Sequence, residues 1–231
     1  LYDYFNPLER DDKTDVVIIG SGITGSLVAH ELCKAGIKCC IVDKRTPSTG
    51  SSSASTALLQ YEIDEPLHKM MKSVGEANAL IAYRSCLKAI SDIEKVFRSI
   101  KADVGFERVP SVFYASNKEG EKIIEKEYTV RKQHGLPVTY LKAKEVKERY
   151  GFDTPCALMN EESAQIDAYL ASTTLLDYHM KRTELKVYTH THVKRCAKKG
   201  NSYEIITDKG NKIQFNYVIV AAGFEAGTLL P

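Results

Sequence analysis

A glycine-rich turn between two short apolar segments constrains the fold of this chain more than any other feature. Residues 20–25 read Gly-Ser-Gly-Ile-Thr-Gly, which is the pattern G-x-G-x-x-G. A continuous β-branched run, 15–19, comes directly before the turn, and a segment with apolar residues at helical spacing, 26–35, follows it. A second apolar run, 37–42, comes next. This order predicts a strand, a helix that stops at Gly36, and a second parallel strand.

The glycines and a following acid have defined roles in binding a dinucleotide. Gly20 allows the tight turn, Gly22 lets the backbone approach a pyrophosphate, and Gly25 lets the helix pack closely on the sheet. The phosphates would then lie at the positive end of the helix. Asp43 ends the second apolar run, where an acidic side chain accepts hydrogen bonds from ribose hydroxyls. The pattern therefore predicts a bound dinucleotide rather than a glycine turn without a ligand.

The residues after the acid leave the type of nucleotide open. The charge of Asp43 disfavours a ligand with a 2′-phosphate, because the two negative groups would repel each other. Lys44 and Arg45 weaken that argument, since they could neutralise such a phosphate. They could equally be a solvated pair at the end of a strand.

Composition limits the remaining classes of function. The 231 residues are 43% hydrophobic and 27% charged with a net charge of +2, which is ordinary for a globular protein and gives no electrostatic case for nucleic acid. No apolar stretch reaches the length of about 20 residues that a transmembrane helix needs. Six cysteines without Cys-x-x-Cys spacing predict reduced thiols and a cytoplasmic location.

The rest of the chain is predicted to mix helices and short strands. An amphipathic pattern interrupted near Gly75 spans 66–101, and it is followed by a strand at 111–115, a helix at 118–134, a strand at 139–141 and a helix at 144–150. A further helix is expected at 168–181, and then strands at 185–189, 191–196, 203–207 and 212–215. The last apolar run, 217–223, predicts another buried parallel strand that ends at a glycine.

Two pairs of residues, one of histidines and one of cysteines, are candidates for a metal site or a disulfide. His190 and His192 alternate on a predicted strand and would share one face, but no neighbouring acid or cysteine has ligand spacing, so no metal site is predicted. Cys39 and Cys40 are consecutive in the second strand. Their side chains should point to opposite faces and pack in the core rather than form a disulfide.

Four sequence blocks occur in an order that resembles the flavin-dependent oxidase family typified by D-amino-acid oxidase, glycine oxidase and sarcosine oxidase. The first block is shared by many dinucleotide-binding folds, whereas the ordered set is more specific. The blocks are 15–26, 42–44 with 50–60, 164–167 with 191–194, and 217–224.

The resemblance implies an α/β fold and FAD rather than NAD. The expected architecture is a Rossmann-like FAD/NAD(P)-binding domain, formed by 14–62 and 164–231, with an inserted α+β cap or substrate region at 63–163. A small antiparallel β-meander would precede the last strand. Further flavin-contacting parts of the family would follow residue 231, so we expect this chain to be the N-terminal part of a longer enzyme whose FAD-binding domain continues beyond it.

The resemblance also implies a set of cofactor-binding residues, which fall into several groups. The pyrophosphate would be held by Gly20, Ser21, Gly22, Ile23, Thr24 and Gly25. The adenosine ribose would be bound by Asp43, where many family members have Glu, with Lys44 close by. The phosphates and the flavin side would be lined by Ser51, Ser52, Ser55, Thr56 and Ala57. Val193 would contact adenine, and the adenosine half would pass close to Ala221, Ala222 and Gly223.

The family reaction removes a hydride from a carbon that bears an amine or a hydroxyl and transfers it to the flavin N5. The resemblance therefore implies an FAD-dependent oxidoreductase, either oxidase or dehydrogenase, that acts on a small amine, amino acid or hydroxy acid. No catalytic residue is assigned, because many members need no protein base for this step. An NAD-dependent dehydrogenase and a non-catalytic nucleotide-binding module remain as alternatives.

Overall fold

The computed structural model describes residues 5–200 and 202–229, and the chain divides into two compact units. The first unit comprises residues 1–56 and 167–231, and the second comprises residues 57–166. From the sequence, the first segment of the FAD-binding domain is expected to end at residue 62 and the second to begin at residue 164. The role of the second unit as a cap or substrate region stays a prediction.

The first unit begins with a β-α-β segment that contains the glycine-rich turn. Its elements are β1 (Asp12–Lys13), β2 (Val16–Ile19), α1 (Ile23–Lys34) and β3 (Cys39–Val42), followed by a 3₁₀ turn at Ser51–Ala54. Helix α1 ends before Gly36, which has a φ of +70°. This conformation favours glycine and terminates the helix as predicted.

The second unit is α+β. Its elements in chain order are β4 (Leu58–Leu59), α2 (Leu67–Val74), α3 (Glu76–Ser99), β5 (Glu107–Arg108), β6 (Ser111–Tyr114), α4 (Lys118–Gln133), β7 (Thr139–Lys142), α5 (Ala143–Tyr150), β8 (Cys156–Asn160) and β9 (Ala164–Gln165). Two antiparallel sheets have the strand orders β4-β9-β5 and β6-β8-β7. The break between α2 and α3 falls at Gly75, as the sequence predicts.

The chain then returns to the first unit. The elements of this part are α6 (Ala168–Met180), β10 (Lys186–Tyr188), β11 (Val193–Lys199), β12 (Ser202–Thr207), β13 (Lys212–Phe215), β14 (Tyr217–Val220), a 3₁₀ turn at Gly223–Glu225 and α7 (Ala226–Leu229). Strands β11, β12 and β13 pair antiparallel and form the expected meander.

Three layers build the first unit around a parallel sheet. The strand order is β10-β3-β2-β14, and every neighbouring pair is parallel. One face of the sheet packs on α1 and α6, and Cys39 lies in this apolar layer with Leu176. The other face packs on the meander, where Cys40 lies with Phe215. The consecutive cysteines thus point to opposite faces and are buried, as their alternation in a strand predicts.

Two local predictions in the first unit are wrong. Strand β14 is parallel but not fully buried, because it pairs only with β2 among the described strands, and its Tyr217 is 71% exposed. His190 and His192 do not lie on a strand, because β11 begins at Val193. The backbone of His190 has a φ of +46°, so these histidines belong to the turn between β10 and β11.

A buried ion-pair network organises the second unit. The Glu127 carboxylate, on α4, accepts hydrogen bonds from the backbone N–H groups of Leu67 and His68 at 2.8 and 3.1 Å and from His68 Nδ1 at 2.7 Å. It thereby satisfies the start of α2, where Pro66 provides no capping side chain. The Nε of Arg131 donates to the same carboxylate at 2.7 Å, and another guanidinium nitrogen donates to Glu62 at 3.1 Å.

Candidate cofactor site

The glycine-rich turn is packed so tightly that side chains at two of its positions would clash with backbone. Gly20 has a φ of +107°, and a Cβ there would lie 2.4 Å from the carbonyl oxygen of Ala221. A Cβ on Gly25 would lie 2.0 Å from the carbonyl oxygen of Gly20. The turn is therefore held between the first helical turn of α1 and the segment that follows β14.

The start of α1 is open to a ligand. Gly22 is the N-cap and offers no capping side chain, and the first turn of the helix contains no acidic residue. The partial positive charge of the helix terminus is thus available to an anion. A Cβ on Gly22 would approach Ser52 Oγ to 2.9 Å, so a larger residue would fill the space between the turn and the serine-rich loop.

The serine-rich loop packs against this turn rather than acting as a flexible linker. Ser52 Oγ accepts a hydrogen bond from the Ile23 N–H at 3.0 Å. The buried Ser48 hydroxyl donates to the carbonyl oxygen of Ser21 at 3.0 Å. The φ of Ser48 is +62°, which is uncommon for a residue other than glycine. The loop is thereby fixed beside the positive end of α1.

Asp43 is held by the same turn. Its Oδ2 accepts hydrogen bonds from the Ser21 N–H at 2.8 Å and from the Ser21 hydroxyl at 2.5 Å, and its Oδ1 accepts from the Arg45 N–H at 2.9 Å. Ser21 is completely buried, whereas Asp43 is half-buried. The carboxylate is therefore fixed in orientation, and its Oδ1 has a further lone pair for a ribose hydroxyl.

The two cations after Asp43 are paired with an acid from the end of the first unit. Lys44 Nζ lies 2.5 Å from Glu225 Oε2, and a guanidinium nitrogen of Arg45 lies 3.3 Å from Glu225 Oε1. The hydrogen bond from Lys44 is the main cause that lowers the pKa of Glu225 from its ordinary value. Glu225 thus offsets about one of the two positive charges that could have attracted a 2′-phosphate.

A cavity of about 570 Å³ joins these groups in the first unit, which is in the range of small-molecule and cofactor pockets. Most of the predicted site residues line it, namely Gly20, Gly22, Ile23, Thr24, Asp43, Lys44, Ser51, Ser52, Ser55, Val193, Ala221, Ala222 and Gly223. Four predicted residues do not line it. Ser21 and Gly25 belong to the turn but are buried within it. Thr56 is the last residue of the first segment of the first unit, and Ala57 is the first residue of the second unit.

The cavity also includes residues that the sequence did not assign to the site. Among these, Thr46, Ser48 and Gly50 belong to the loop after β3, Ala168 begins α6, and Thr191 precedes β11. The Thr191 N–H donates to the carbonyl oxygen of Asp43 at 2.8 Å and so connects the two sides of the cavity. Glu225 lies two residues after Gly223, and this proximity to a predicted site residue was the signal that could have identified it.

Replacing the fixed acid tests its role in nucleotide binding. Asp43→Ala leaves the buried Ser21 N–H without an acceptor and removes the predicted ribose partner, so we expect ADP and FAD affinity to fall about 10- to 100-fold. Isothermal titration with ADP measures the change. Asp11→Ala is the matched control, because Asp11 also accepts a backbone N–H, from Lys212, but lies outside the cavity. Equal losses in both variants would contradict a role for Asp43 in the site.

Removing the acid that neutralises the two cations should change nucleotide selectivity. Glu225→Gln frees the charge of Lys44 and Arg45, so we expect the affinity for 2′,5′-ADP to rise about 3- to 10-fold relative to that for 5′-ADP. The exposed position of the cations predicts that added salt weakens this gain. A ratio of the two affinities that stays at its wild-type value would show that these side chains do not face the ribose.

The residues present fit an adenine dinucleotide. The open helix terminus, the space that a Cβ on Gly22 would fill, and the fixed carboxylate of Asp43 lie around one cavity. These features together define a Rossmann-like dinucleotide-binding protein. More specifically, the chain belongs to the FAD dependent oxidoreductase family, whose family model matches residues 15–231. This match confirms the predicted family, fold class and cofactor, FAD.

Two proteins of known sequence are similar to nearly the whole chain at low identity. The chain is 23% identical over 220 residues to a putative Rieske 2Fe-2S iron-sulfur protein, YhfW, of Bacillus subtilis, which covers 95% of this chain and 42% of the relative. It is 24% identical over 217 residues to a glycerol 3-phosphate dehydrogenase of Caloramator mitchellensis, which covers 92% of this chain and 42% of the relative. The chain thus spans less than half the length of these relatives.

Solved structures share the fold. An L-proline dehydrogenase from P. horikoshii superposes with a TM-score of 0.77 at 20% identity, over 95% of this chain and 55% of that one. A glycine oxidase from Geobacillus kaustophilus gives a TM-score of 0.76 at 23% identity, over 94% of this chain and 57% of that one. At these identities the similarity establishes the fold.

Proposed function

We propose that this chain forms the FAD-binding part of an oxidoreductase that takes a hydride from a small amine, amino acid or hydroxy acid. The observation that carries the proposal is the cavity at the open end of α1, with the fixed carboxylate of Asp43 on its wall. The names of similar proteins, glycine oxidase, L-proline dehydrogenase and glycerol 3-phosphate dehydrogenase, support small substrates with an oxidisable C–H bond.

The residues of the first unit would bind and orient the cofactor. Bound FAD would supply the redox chemistry as the hydride acceptor. Backbone N–H groups at the start of α1 would bind the pyrophosphate, and Asp43 would accept hydrogen bonds from the adenosine ribose. We also assign Ser51, Ser52 and Ser55 to the phosphate side and Val193 to the adenine side, because they line the same cavity.

Flavin retention and anaerobic reduction test the proposal in two stages. The purified full-length protein should be yellow, with bound FAD that is released on denaturation. Glycine, L-proline, other small amines, hydroxy acids and glycerol 3-phosphate are then added without oxygen, and at least one should bleach the flavin absorption. Protein that binds FAD but is bleached by none of them would indicate a non-catalytic nucleotide-binding module. Binding of NAD with exclusion of FAD would overturn the proposal.

We also propose that the protein is cytoplasmic. Its main partner would be a small-molecule substrate, and it would not bind nucleic acid. All six cysteines are free thiols, which is usual in reducing compartments. Within residues 5–200 and 202–229, none of the helices has the length and apolarity required to cross a bilayer. No group of three or more His, Cys, Asp or Glu side chains in the described part of the chain is arranged to hold a metal ion.

A further inference from the structure

Two free cysteines lie side by side on the face of the parallel sheet that is covered by helices. Cys33 is in the last turn of α1, Cys39 is the first residue of β3, and their sulfur atoms are 4.0 Å apart. A disulfide bond is about 2 Å long. The two sulfurs are thus within about 2 Å of bonding distance while both are reduced.

The two thiols differ in access to solvent. Cys39 is 2% exposed and packs in the apolar layer beneath the helices. Cys33 is only half-buried, and it is next in sequence to the exposed Lys34. This arrangement suits a pair in which the accessible sulfur reacts first and the buried sulfur then resolves the product.

Polar neighbours favour the thiolate form of Cys33. The hydrogen bond from the Cys39 thiol lowers the pKa of Cys33 most, and His179 and Thr183 lower it further, while burial opposes them. The Thr183 hydroxyl lies 3.5 Å from the Cys33 sulfur. The same hydrogen bond and burial raise the pKa of Cys39, which therefore keeps its proton. A low-pKa thiol beside a protonated one has the chemistry of an oxidisable pair.

A buried imidazole beside this pair has an unused ring nitrogen. His179 is 4% exposed, its Nε2 lies 2.9 Å from Nδ1 of the buried His30, and its Nδ1 has no hydrogen-bond partner among the described residues. A tautomer in which Nε2–H donates to His30 leaves a lone pair on Nδ1. The site thus contains a buried imidazole nitrogen that can accept a hydrogen bond.

We propose that Cys33 and Cys39 form a peroxide-oxidisable dithiol site that is distinct from the cofactor cavity. The Cys33 thiolate attacks one oxygen of a hydroperoxide, so that an S–O bond forms, the O–O bond breaks and the other oxygen leaves, protonated, as water or an alcohol. The Cys39 sulfur then attacks the Cys33 sulfur. An S–S bond forms, the S–O bond breaks, and the hydroxide leaves as water with the Cys39 proton.

The test compares two cysteines in the same molecule. Cys196 is an exposed residue. Partial burial raises the pKa of its thiol, so this cysteine is accessible but stays protonated. The reduced protein is treated with hydrogen peroxide, quenched with iodoacetamide at intervals, digested with trypsin and analysed by mass spectrometry. Cleavage after Lys34 and Lys38 places Cys33 on one peptide and Cys39, together with Cys40, on another. A disulfide appears as a joined peptide two hydrogens lighter than its parts, and fragmentation between Cys39 and Cys40 shows which of them is bonded.

We expect the joined peptide to form and free Cys33 to disappear at least tenfold faster than free Cys196. Loss of Cys196 first, or oxidation of Cys33 in wild-type protein without the joined peptide, would overturn the proposal. In Cys39→Ser, Cys33 should stop at the sulfenic acid and be trapped by dimedone. Cys86→Ser is the matched control, because Cys86 is also a half-buried helical thiol. It should leave the rate and the joined peptide unchanged.

Discussion

Gly25→Ala is expected to yield protein that retains no FAD and whose free energy of unfolding is lower by about 3 kcal/mol. The added methyl would lie 2.0 Å from the carbonyl oxygen of Gly20, which is a backbone atom. Only a displacement of the turn from α1 can relieve this contact, and that displacement moves the N–H groups proposed to bind the phosphates. Urea unfolding followed by circular dichroism and flavin absorption after gel filtration measure the two effects.

The matched control for this prediction is a glycine in another helix. Gly120 lies in the first turn of α4, where a Cβ would make contacts of 3.4 Å. Gly120→Ala should therefore change stability by less than about 1 kcal/mol and leave bound FAD unchanged. If Gly25→Ala kept a wild-type amount of FAD, the close packing of the turn would not be required for binding.

The second large effect, a loss in the free energy of unfolding, is expected from Arg131→Met in the second unit. Arg131 is 1% exposed and bridges Glu127, which is fully buried, and Glu62. Its removal leaves the Glu127 charge buried without its cationic partner, and such a loss typically costs about 3 to 5 kcal/mol. The urea midpoint should fall accordingly. A loss below about 1 kcal/mol, as for surface pairs, would show that the network does not hold this unit together.

Arg98→Met provides the same chemical change on the surface. Arg98 is 78% exposed and pairs with Glu94 one helical turn away, so we expect an effect below about 1 kcal/mol. The comparison separates the loss of a buried charge partner from the loss of an arginine side chain. Destabilisation of similar size in both variants would contradict the structural explanation.

Lowering the pH should decrease the contribution of Glu127 to stability in the wild-type protein, whereas it should relieve the destabilisation in the Arg131→Met variant. Burial raises the pKa of Glu127, but Arg131 and His68 together outweigh it and hold the pKa below its ordinary value. The wild type therefore has this stabilisation above the ordinary pKa of about 4.3 and loses it as the pH falls through the lower, folded value. Without Arg131, burial should raise the folded pKa, so the stability deficit should shrink between pH 7 and pH 5.

Local patterns predicted the parts of the fold that depend on neighbouring residues. The glycine turn, the break at Gly75 and the end of α1 at Gly36 were predicted because the backbone conformation there favours glycine. The predicted helix at 168–181 corresponds to α6 within one residue. The identity of the family also followed from the order of short blocks, since each block alone occurs in many folds.

Other features depend on long-range contacts and were missed. Strand β8 (Cys156–Asn160) is the buried centre of a sheet, but its short apolar run has no period that separates strand from helix. The pairing of Glu225 with Lys44 joins positions 181 residues apart, and no local pattern reports it. The exposure of β14 was missed because an edge strand can be as apolar as a central one.

The position of β2 between β3 and β14 has a consequence for biosynthesis. Gly20 and Ala221 meet at the turn, so two walls of the cavity come from opposite ends of the chain. At a synthesis rate of 5 to 20 residues per second, the second wall leaves the ribosome about 10 to 40 s after the first. A stalled nascent chain that ends before Tyr217 should therefore hold no FAD. Until that wall arrives, the apolar strand β2 has an unpaired edge that a chaperone can shield from aggregation.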